Sequence, residues 1–294
     1  MFLLIFKIIR HHCLALTLLG SLFLAGCSAV RFGYEQAPSL AYWWLDGQMD
    51  FSSEQTPKVR DTLDRLQAWH RRQELRPYAD LLARAATLAE GAVTTEQACQ
   101  LTQEVQQRMN VFVREAIRLA APVAATTELR QIRHLGQHQE QKNTQWETQW
   151  LQGSEASRLQ YRLDKLVDRY ADFYGKLSDA QVKLLRQQLE QSVWSPQWGR
   201  QERLRQQRDL LNALMRIEQD KPGIRQAEEI LQGVWSRWMQ PPSEVDRQRW
   251  QNWQEQGCKQ MAELHNSTSA EQRQRAARRL RAYEKDLREL AGRS

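Results

Sequence analysis

Apolar residues recur at alternating spacings of three and four along most of the chain. One such stripe contains Leu159, Leu163, Leu166, Tyr170, Phe173 and Leu177, and three others lie within residues 59–69, 101–116 and 276–290. This spacing places apolar side chains on one face of an α-helix, where they can pack against a core. No stretch alternates apolar and polar residues with enrichment in β-branched side chains, so the pattern predicts no strands.

Four short polar sequences mark where helices should begin. They are SSEQ at 52–55, TTEQ at 94–97, SDAQ at 178–181 and SAEQ at 269–272. Each fits a capping box, in which a Ser or Thr hydroxyl accepts from the backbone N–H three residues on and the Gln side chain bonds back to the cap. Glycines and prolines divide the chain into segments with short connections, which favours antiparallel neighbours. We predict an all-α fold, a multi-helix antiparallel bundle-like domain of about eight to eleven helices.

The first residues have the pattern of an export signal. A basic leader precedes the apolar run from Cys13 to Ala25. This run is too short to cross a bilayer, because a spanning helix needs about 20 residues. It ends in LAGC at 24–27, which looks like a bacterial lipobox. We therefore predict that residues 1–26 are a lipoprotein signal peptide and that Cys27 carries acyl chains such as palmitate. The alternative, a buried helix that contains Cys27, leaves the charged leader unexplained.

The predicted location follows from the same residues. Residues 27–294 would form an all-helical periplasmic domain, lipid-anchored through Cys27. By resemblance to sorted lipoproteins, Ser28 in place of an aspartate favours the outer membrane, with the domain facing the periplasm. Loss of Lys7 and Arg10 with the signal lowers the formal net charge from +7 to +5. In the cytosol a basic chain would suggest nucleic acid.

Outside the inner membrane, nucleic acid is scarce. Anionic lipid headgroups or cell-wall carboxylates take its place there, and a solvated basic surface is the simpler explanation of the charge. We predict a membrane contact through lipidated Cys27, a possible envelope protein partner and no nucleic-acid partner.

Three segments together resemble an uncharacterised family of proteobacterial lipoproteins, domain of unknown function 6279. They are AYWWLDGQMDF at 41–51, AWHRRQELRPYADLL at 68–82 and CKQMAELHNSTSAEQRQRAARRLRAYEKDLREL at 258–290. The likeness extends over essentially the whole mature chain. It implies a lipid-anchored helical envelope protein, and it implies no activity because none is established for the family. The first two segments supply the candidate binding or packing residues Trp43, Trp44, Asp46, Trp69, His70 and Arg71.

Tryptophans are the most distinctive side chains of the mature chain. Ten of the eleven form close pairs: Trp43 and Trp44, Trp146 and Trp150, Trp194 and Trp198, Trp235 and Trp238, Trp250 and Trp253. Spacings of three or four put both rings on one helix face. Core packing is the favoured interpretation, and an aromatic surface for client proteins or glycan rings is the alternative.

The Trp43–Trp44 pair is expected to lie in a short helix. Leu40, Trp43 and Trp44 would share one face of a helix that begins near Ser39 and ends at Asp46–Gly47. We predict that at least one of the two rings packs against the following helices. Contact with a membrane is the second possibility.

No sequence motif indicates an enzyme. The chain lacks a GxSxG elbow, a Walker loop, a GxGxxG turn and a CxxC pair. His134 and His138 are four apart and could share a zinc ion, but a third ligand is needed and a solvated face is favoured. We predict no metal, no cofactor and no catalytic residues. The predicted function is a non-enzymatic periplasmic scaffold or binding protein. The alternative is a holdase-type chaperone that uses paired tryptophan faces, and an enzyme of unrecognised type ranks third.

Two cysteines remain once Cys27 is assigned to lipid. Cys99 and Cys258 would lie in an oxidising periplasm, where leftover thiols tend to pair. We predict a disulfide that closes a loop of 159 residues, with the two Cα atoms within about 7 Å. Free buried thiols are one alternative. A Cys258–His265 nucleophile and base is another, since the two residues are seven apart on a helix.

Overall fold

Twelve helices make up most of residues 26–293. The computed structural model describes residues 26–293, with side chains from residue 30. In chain order the helices are α1 Gly26–Glu35, α2 Ala37–Met49, α3 Thr56–Gln73, α4 Leu75–Leu88, α5 Thr95–Ala124, α6 Leu129–Trp150, α7 Glu155–Tyr174, α8 Asp179–Glu190, α9 Pro196–Asp220, α10 Ile224–Met239, α11 Glu244–Asn266 and α12 Ala270–Ala291. No strand occurs between residues 26 and 293. The predicted all-α, bundle-like class is confirmed.

The helix count is one above the upper number expected. The difference lies ahead of Asp50, where two helices form and only one short helix was predicted. Gln36 ends one backbone hydrogen-bonded segment, and Pro38 lies in the first turn of the next, where a missing N–H costs nothing. Residues 1–25 of the predicted signal peptide lie outside the described residues. The signal peptide at 1–26 therefore stays a prediction.

The predicted capping boxes form. The hydroxyls of Thr94, Ser178 and Ser269 accept from the N–H three residues on, at 3.2, 3.3 and 3.2 Å. The fourth box also forms, with the Gln55 N–H donating to the Ser52 hydroxyl at 3.2 Å. It folds a turn ahead of the helix, because α3 itself begins at Thr56 with a proline in its first turn.

The capping glutamines also bond to one another. The side chains of Gln55 and Gln131 exchange two amide hydrogen bonds, at 3.2 and 2.7 Å. Gln181 and Gln272 do the same at 2.8 and 3.1 Å. The first pair joins the start of α6 to the turn before α3, and the second joins the starts of α8 and α12. Gln55, Gln131 and Gln181 are buried.

Small residues line the most extensive helix contact, between α4 and α12. Ala79 and Ala86 are buried in α4, and Ala276 and Ala277 are buried in α12. Such short side chains let two helix axes approach closely. The long helix α5 packs against α3, α4, α10 and α11, and so forms the centre of the bundle.

One predicted apolar stripe is only partly buried. Leu101 and Phe112 are half-buried on α5, whereas Val105 and Met109 between them are exposed. The stripe does form a continuous helix face, but its middle faces solvent. The neighbouring helices α3, α4, α10 and α11 cover other parts of α5.

The predicted disulfide is present. Cys99 of α5 and Cys258 of α11 are bonded, with their Cα atoms 5.0 Å apart. Cys258 lies among the buried alanines Ala98 and Ala262. The cysteine is therefore not a nucleophile paired with His265.

His265 has two other partners. Its Nε2 lies 2.8 Å from the carbonyl oxygen of Gly91, and its Nδ1 lies 2.9 Å from the hydroxyl of Tyr174. Since a carbonyl only accepts, Nε2 carries the proton and Nδ1 accepts from the tyrosine. The ring is buried, and this burial lowers its pKa. It is a structural histidine that links α7, α11 and the loop before α5.

Four of the five tryptophan pairs are at least half-buried. Trp146 and Trp150 stack with ring centroids 5.8 Å apart, and Trp150 meets Trp194 edge-on at 5.6 Å. Trp198 is buried, with Trp250 and Trp253 at 6.3 and 6.1 Å. Trp235 and Trp238 are half-buried. Core packing is therefore correct for Trp198, and the other seven rings of these four pairs are half-buried.

The bridge between α5 and α11 gives a direct stability prediction. Replacing both Cys99 and Cys258 by alanine should lower the unfolding free energy by about 2–4 kcal/mol, because a 159-residue loop is no longer closed in the unfolded chain. Denaturant unfolding of the oxidised, reduced and substituted proteins measures this. Reduced wild type should match the substituted protein. Free thiols at both positions in the unreduced, denatured protein would contradict the assignment.

Candidate functional site at the N-terminal arm

Helices α1 and α2, residues 26–49, form an N-terminal arm that lies on the body of the bundle. Helix α1 packs on α12. The guanidinium of Arg31 lies 3.3 Å from the buried carboxylate of Asp286 and also pairs with Glu289. Burial raises the pKa of Asp286, and the positive charge of Arg31 opposes that shift. The ion pair with Arg31 thus offsets part of the free-energy cost of burying the Asp286 carboxylate.

A second set of contacts joins the arm to α3. The hydroxyl of Tyr34 lies 3.0 Å from Nδ1 of His70 and 3.4 Å from the carbonyl oxygen of Gln67. The Gln67 side-chain amide donates to the Tyr34 carbonyl, and Arg71 pairs with Glu35 at 2.6 Å. Burial raises the pKa of Tyr34 to about 12 and lowers the pKa of His70. Both groups therefore stay neutral at pH 7.

A cavity of about 250 Å³ lies between the arm and the bundle. It is lined by Tyr34, Ala37, Pro38, Ala41, Leu63, Leu66, Gln67, His70 and Phe112. His70 contacts Phe112 edge-on, with ring centroids 5.5 Å apart, and lies 5.8 Å from Tyr78. The cavity can hold an apolar group, and the Tyr34–His70 pair is the main polar feature of its wall.

The structure separates the predicted site residues. His70 and Arg71 contact the arm, as above, whereas Trp69 lines a different cavity with Arg72 and Glu115. Asp46 ends no helix: α2 continues to Met49, and the Asp46 carboxylate accepts from the Phe51 N–H at 3.1 Å. The side chain instead shapes the turn after α2.

The structure contradicts the prediction that at least one ring of Trp43 and Trp44 packs against the following helices. Both rings are exposed, at 66% and 67%, and Leu40 is exposed at 61%. The three do share one helix face, but it faces away from the bundle. The opposite face is docked: Tyr42 is buried, its hydroxyl lies 3.1 Å from that of Thr56, and the Arg60 guanidinium lies 3.8 Å from its ring centroid. Since α2 is apolar on both faces, its pattern could not decide which face packs.

Several contacts of the arm were not predicted. Tyr34, Arg31 and Asp286 were missed, because the ion pair joins opposite ends of the chain and no spacing pattern connects them. His134 also contacts the arm, since its Nε2 is 3.2 Å from the Gly47 carbonyl oxygen. Within the described residues, no three His, Cys, Asp or Glu side chains form a group that could hold a metal ion. None of the helices in that range has both the length and the apolarity to cross a membrane.

A comparison with models of protein families identifies the family of this chain. The model of a family of unknown function, DUF6279, matches residues 47–241. The chain belongs to this family. The match includes all of segment 68–82, and therefore His70, but only the end of segment 41–51 and none of segment 258–290. The likeness is thus narrower than the sequence suggested. Comparisons of this DUF6279 protein with curated proteins and with solved structures gave no match.

The Tyr34–His70 pair predicts a pH dependence. The folded-state pKa of His70 should lie below the ordinary value of about 6.5, because burial disfavours the imidazolium. The unfolded state then binds more protons, so stability is complete above about pH 6.5 and is lost as the pH falls through the folded-state pKa. NMR titration of the imidazole and unfolding free energies at pH 7.5 and 5.5 measure both effects.

Two variants separate the contribution of His70 to the pH dependence of stability from the contributions of the other histidines. His70→Gln should reduce the loss of stability between the two pH values without abolishing it, since burial also lowers the pKa of His265. His138→Gln is the matched control, and the reduction in His70→Gln should exceed any change seen in it. A titration midpoint of His70 at or above 6.5 would contradict the assignment.

Proposed function

We propose that this DUF6279 protein is a lipid-anchored cell-envelope protein that acts as a non-enzymatic scaffold or binding protein in the periplasm. In this proposal Cys27 carries the lipid, residues 1–26 are the signal peptide, and the domain faces the periplasm from the outer membrane. The basic leader, the short apolar run and LAGC at 24–27 support the anchor. The Cys99–Cys258 bridge supports an oxidising compartment.

The attachment of the arm to the body carries the scaffold part of the proposal. Arg31, four residues after Cys27, pairs with Asp286, and Glu35 pairs with Arg71. Tyr34 and Gln67 add two further hydrogen bonds. Contacts this close to the anchor restrict the motion of the body relative to it. The same faces of the body are therefore always presented to partners. A defined presentation of faces is what a scaffold needs.

The side chains that favoured other functions have structural partners. Cys258 is in the disulfide and His265 is hydrogen-bonded on both ring nitrogens. Four of the tryptophan pairs lie inside the bundle or half-buried, so a chaperone surface made of paired tryptophans would consist of Trp43 and Trp44 alone. These contacts favour the scaffold over the chaperone.

The anchor is tested by two cysteine substitutions in intact cells. Cys27→Ser should leave the signal uncut or release the protein from the membrane fraction, because no thiol remains to be acylated. Cys13→Ser, within the apolar run, is the matched control and should remain processed and membrane-bound. Fractionation and intact-mass analysis measure the outcome. A processed, membrane-bound Cys27→Ser protein would refute the lipid anchor.

The scaffold role is tested with the same strains. Crosslinking in intact cells followed by mass spectrometry should identify a partner whose yield falls at least tenfold in Cys27→Ser, while Cys13→Ser keeps it. Conversion of a small-molecule substrate by the purified protein would refute the non-enzymatic assignment.

A further inference from the structure

The most exposed apolar side chains of the protein include a compact group in the arm. Leu40, Trp43 and Trp44, here called the aromatic face, are each more than 60% exposed, and Phe32 of α1 is 70% exposed. The other nine tryptophans are all buried or half-buried. A chain that shelters nine indole rings and leaves two neighbouring ones in solvent has a surface that lacks its partner.

Helix α2 carries apolar side chains on two opposite faces. One face packs on the bundle through Tyr42 and, at the cavity, through Pro38 and Ala41. The other face carries the exposed aromatic side chains. The apolar face of a helix is normally covered by another surface. The bundle covers only half of α2, so something outside the described structure should cover the rest.

The position of the arm selects the covering partner. Sixteen residues separate Trp43 from Cys27, which at 1.5 Å per residue is about 24 Å or less in a helical arm. The ties of Arg31 and Tyr34 to the body keep the arm in place. An anchor in the bilayer therefore brings the aromatic face near the membrane surface each time the protein is attached.

We propose that the aromatic face of α2 inserts into the interfacial region of the phospholipid bilayer that holds Cys27. This inference rests on the proposed lipid anchor and adds a second membrane contact to it. Indole rings favour that region because one edge is apolar and the N–H can reach water or headgroups.

Brominated lipids provide the test. The acylated full-length mature protein is purified and placed in vesicles of zwitterionic and anionic phospholipids with bromine on the acyl chains. Bromine quenches only indoles that touch lipid, so wild type should lose a fraction of its fluorescence approaching the share of two tryptophans in eleven. Trp43→Phe with Trp44→Phe should remove most of that lipid-dependent loss. Phenylalanine keeps the surface apolar, so folding and anchoring should not change.

A matched pair and one added measurement complete the design. Trp235→Phe with Trp238→Phe removes two half-buried indoles of the body and should leave the lipid-dependent loss intact. Equal quenching of wild type and the Trp43, Trp44 variant would overturn the proposal. So would rings shielded from aqueous acrylamide yet untouched by bromine, since a second copy or another protein would then cover them. Mass analysis of Cys27 separates the two ideas: acylated protein that fails the bromine test keeps its anchor and loses only this inference, whereas unacylated protein refutes the anchor itself.

Discussion

The hydrogen-bonded glutamine pairs at helix starts are the interaction on which the bundle depends. Apolar contacts are not directional, whereas a hydrogen bond fixes the relative position of the two groups that it joins. Gln181 caps its own helix by accepting from the Ser178 N–H, and its amide group also bonds Gln272, which caps α12 in the same way. Each residue thus sets a helix boundary and a helix–helix register at once. Loss of one partner removes both amide–amide hydrogen bonds of the pair, each of which contributes about 0.5–1.5 kcal/mol.

Two histidines and one carboxylate also form specific polar contacts between helices. Tyr34 meets His70 and Tyr174 meets His265, each through the tyrosine hydroxyl and Nδ1. Both rings are kept neutral by burial, which avoids the larger cost of an enclosed charge. Asp286 is the exception, because it is buried beside Arg31 and pairs with it. The arm and the body are consequently joined by contacts that are specific in geometry as well as favourable in energy.

Sequence patterns over a few residues predicted those features that depend on interactions between neighbouring residues. Helix class and three helix starts follow from spacing and from capping chemistry within four residues, and the Cys99–Cys258 bond follows from cysteine count and compartment. The contacts of the arm depend on residues far apart, such as Arg31 and Asp286, and no spacing rule connects them. Trp43 and Trp44 show a different limit. Helical periodicity correctly grouped them with Leu40, but it cannot tell which of two apolar faces the bundle will cover, because Tyr42 on the other face competes for the same place.

Helix α1 begins beside Cys27 and is tied to α12 within two turns, so the chain has almost no slack between the proposed anchor and the body. A flexible tether lets a domain search a volume that grows with the length of the linker. With the proposed lipid anchor, the search volume would shrink to the motion of the anchor within the plane of the membrane. Encounters would then be two-dimensional: a partner in the same leaflet would meet a body of fixed height and orientation, and a partner farther from the membrane would be out of range unless it supplied the reach itself.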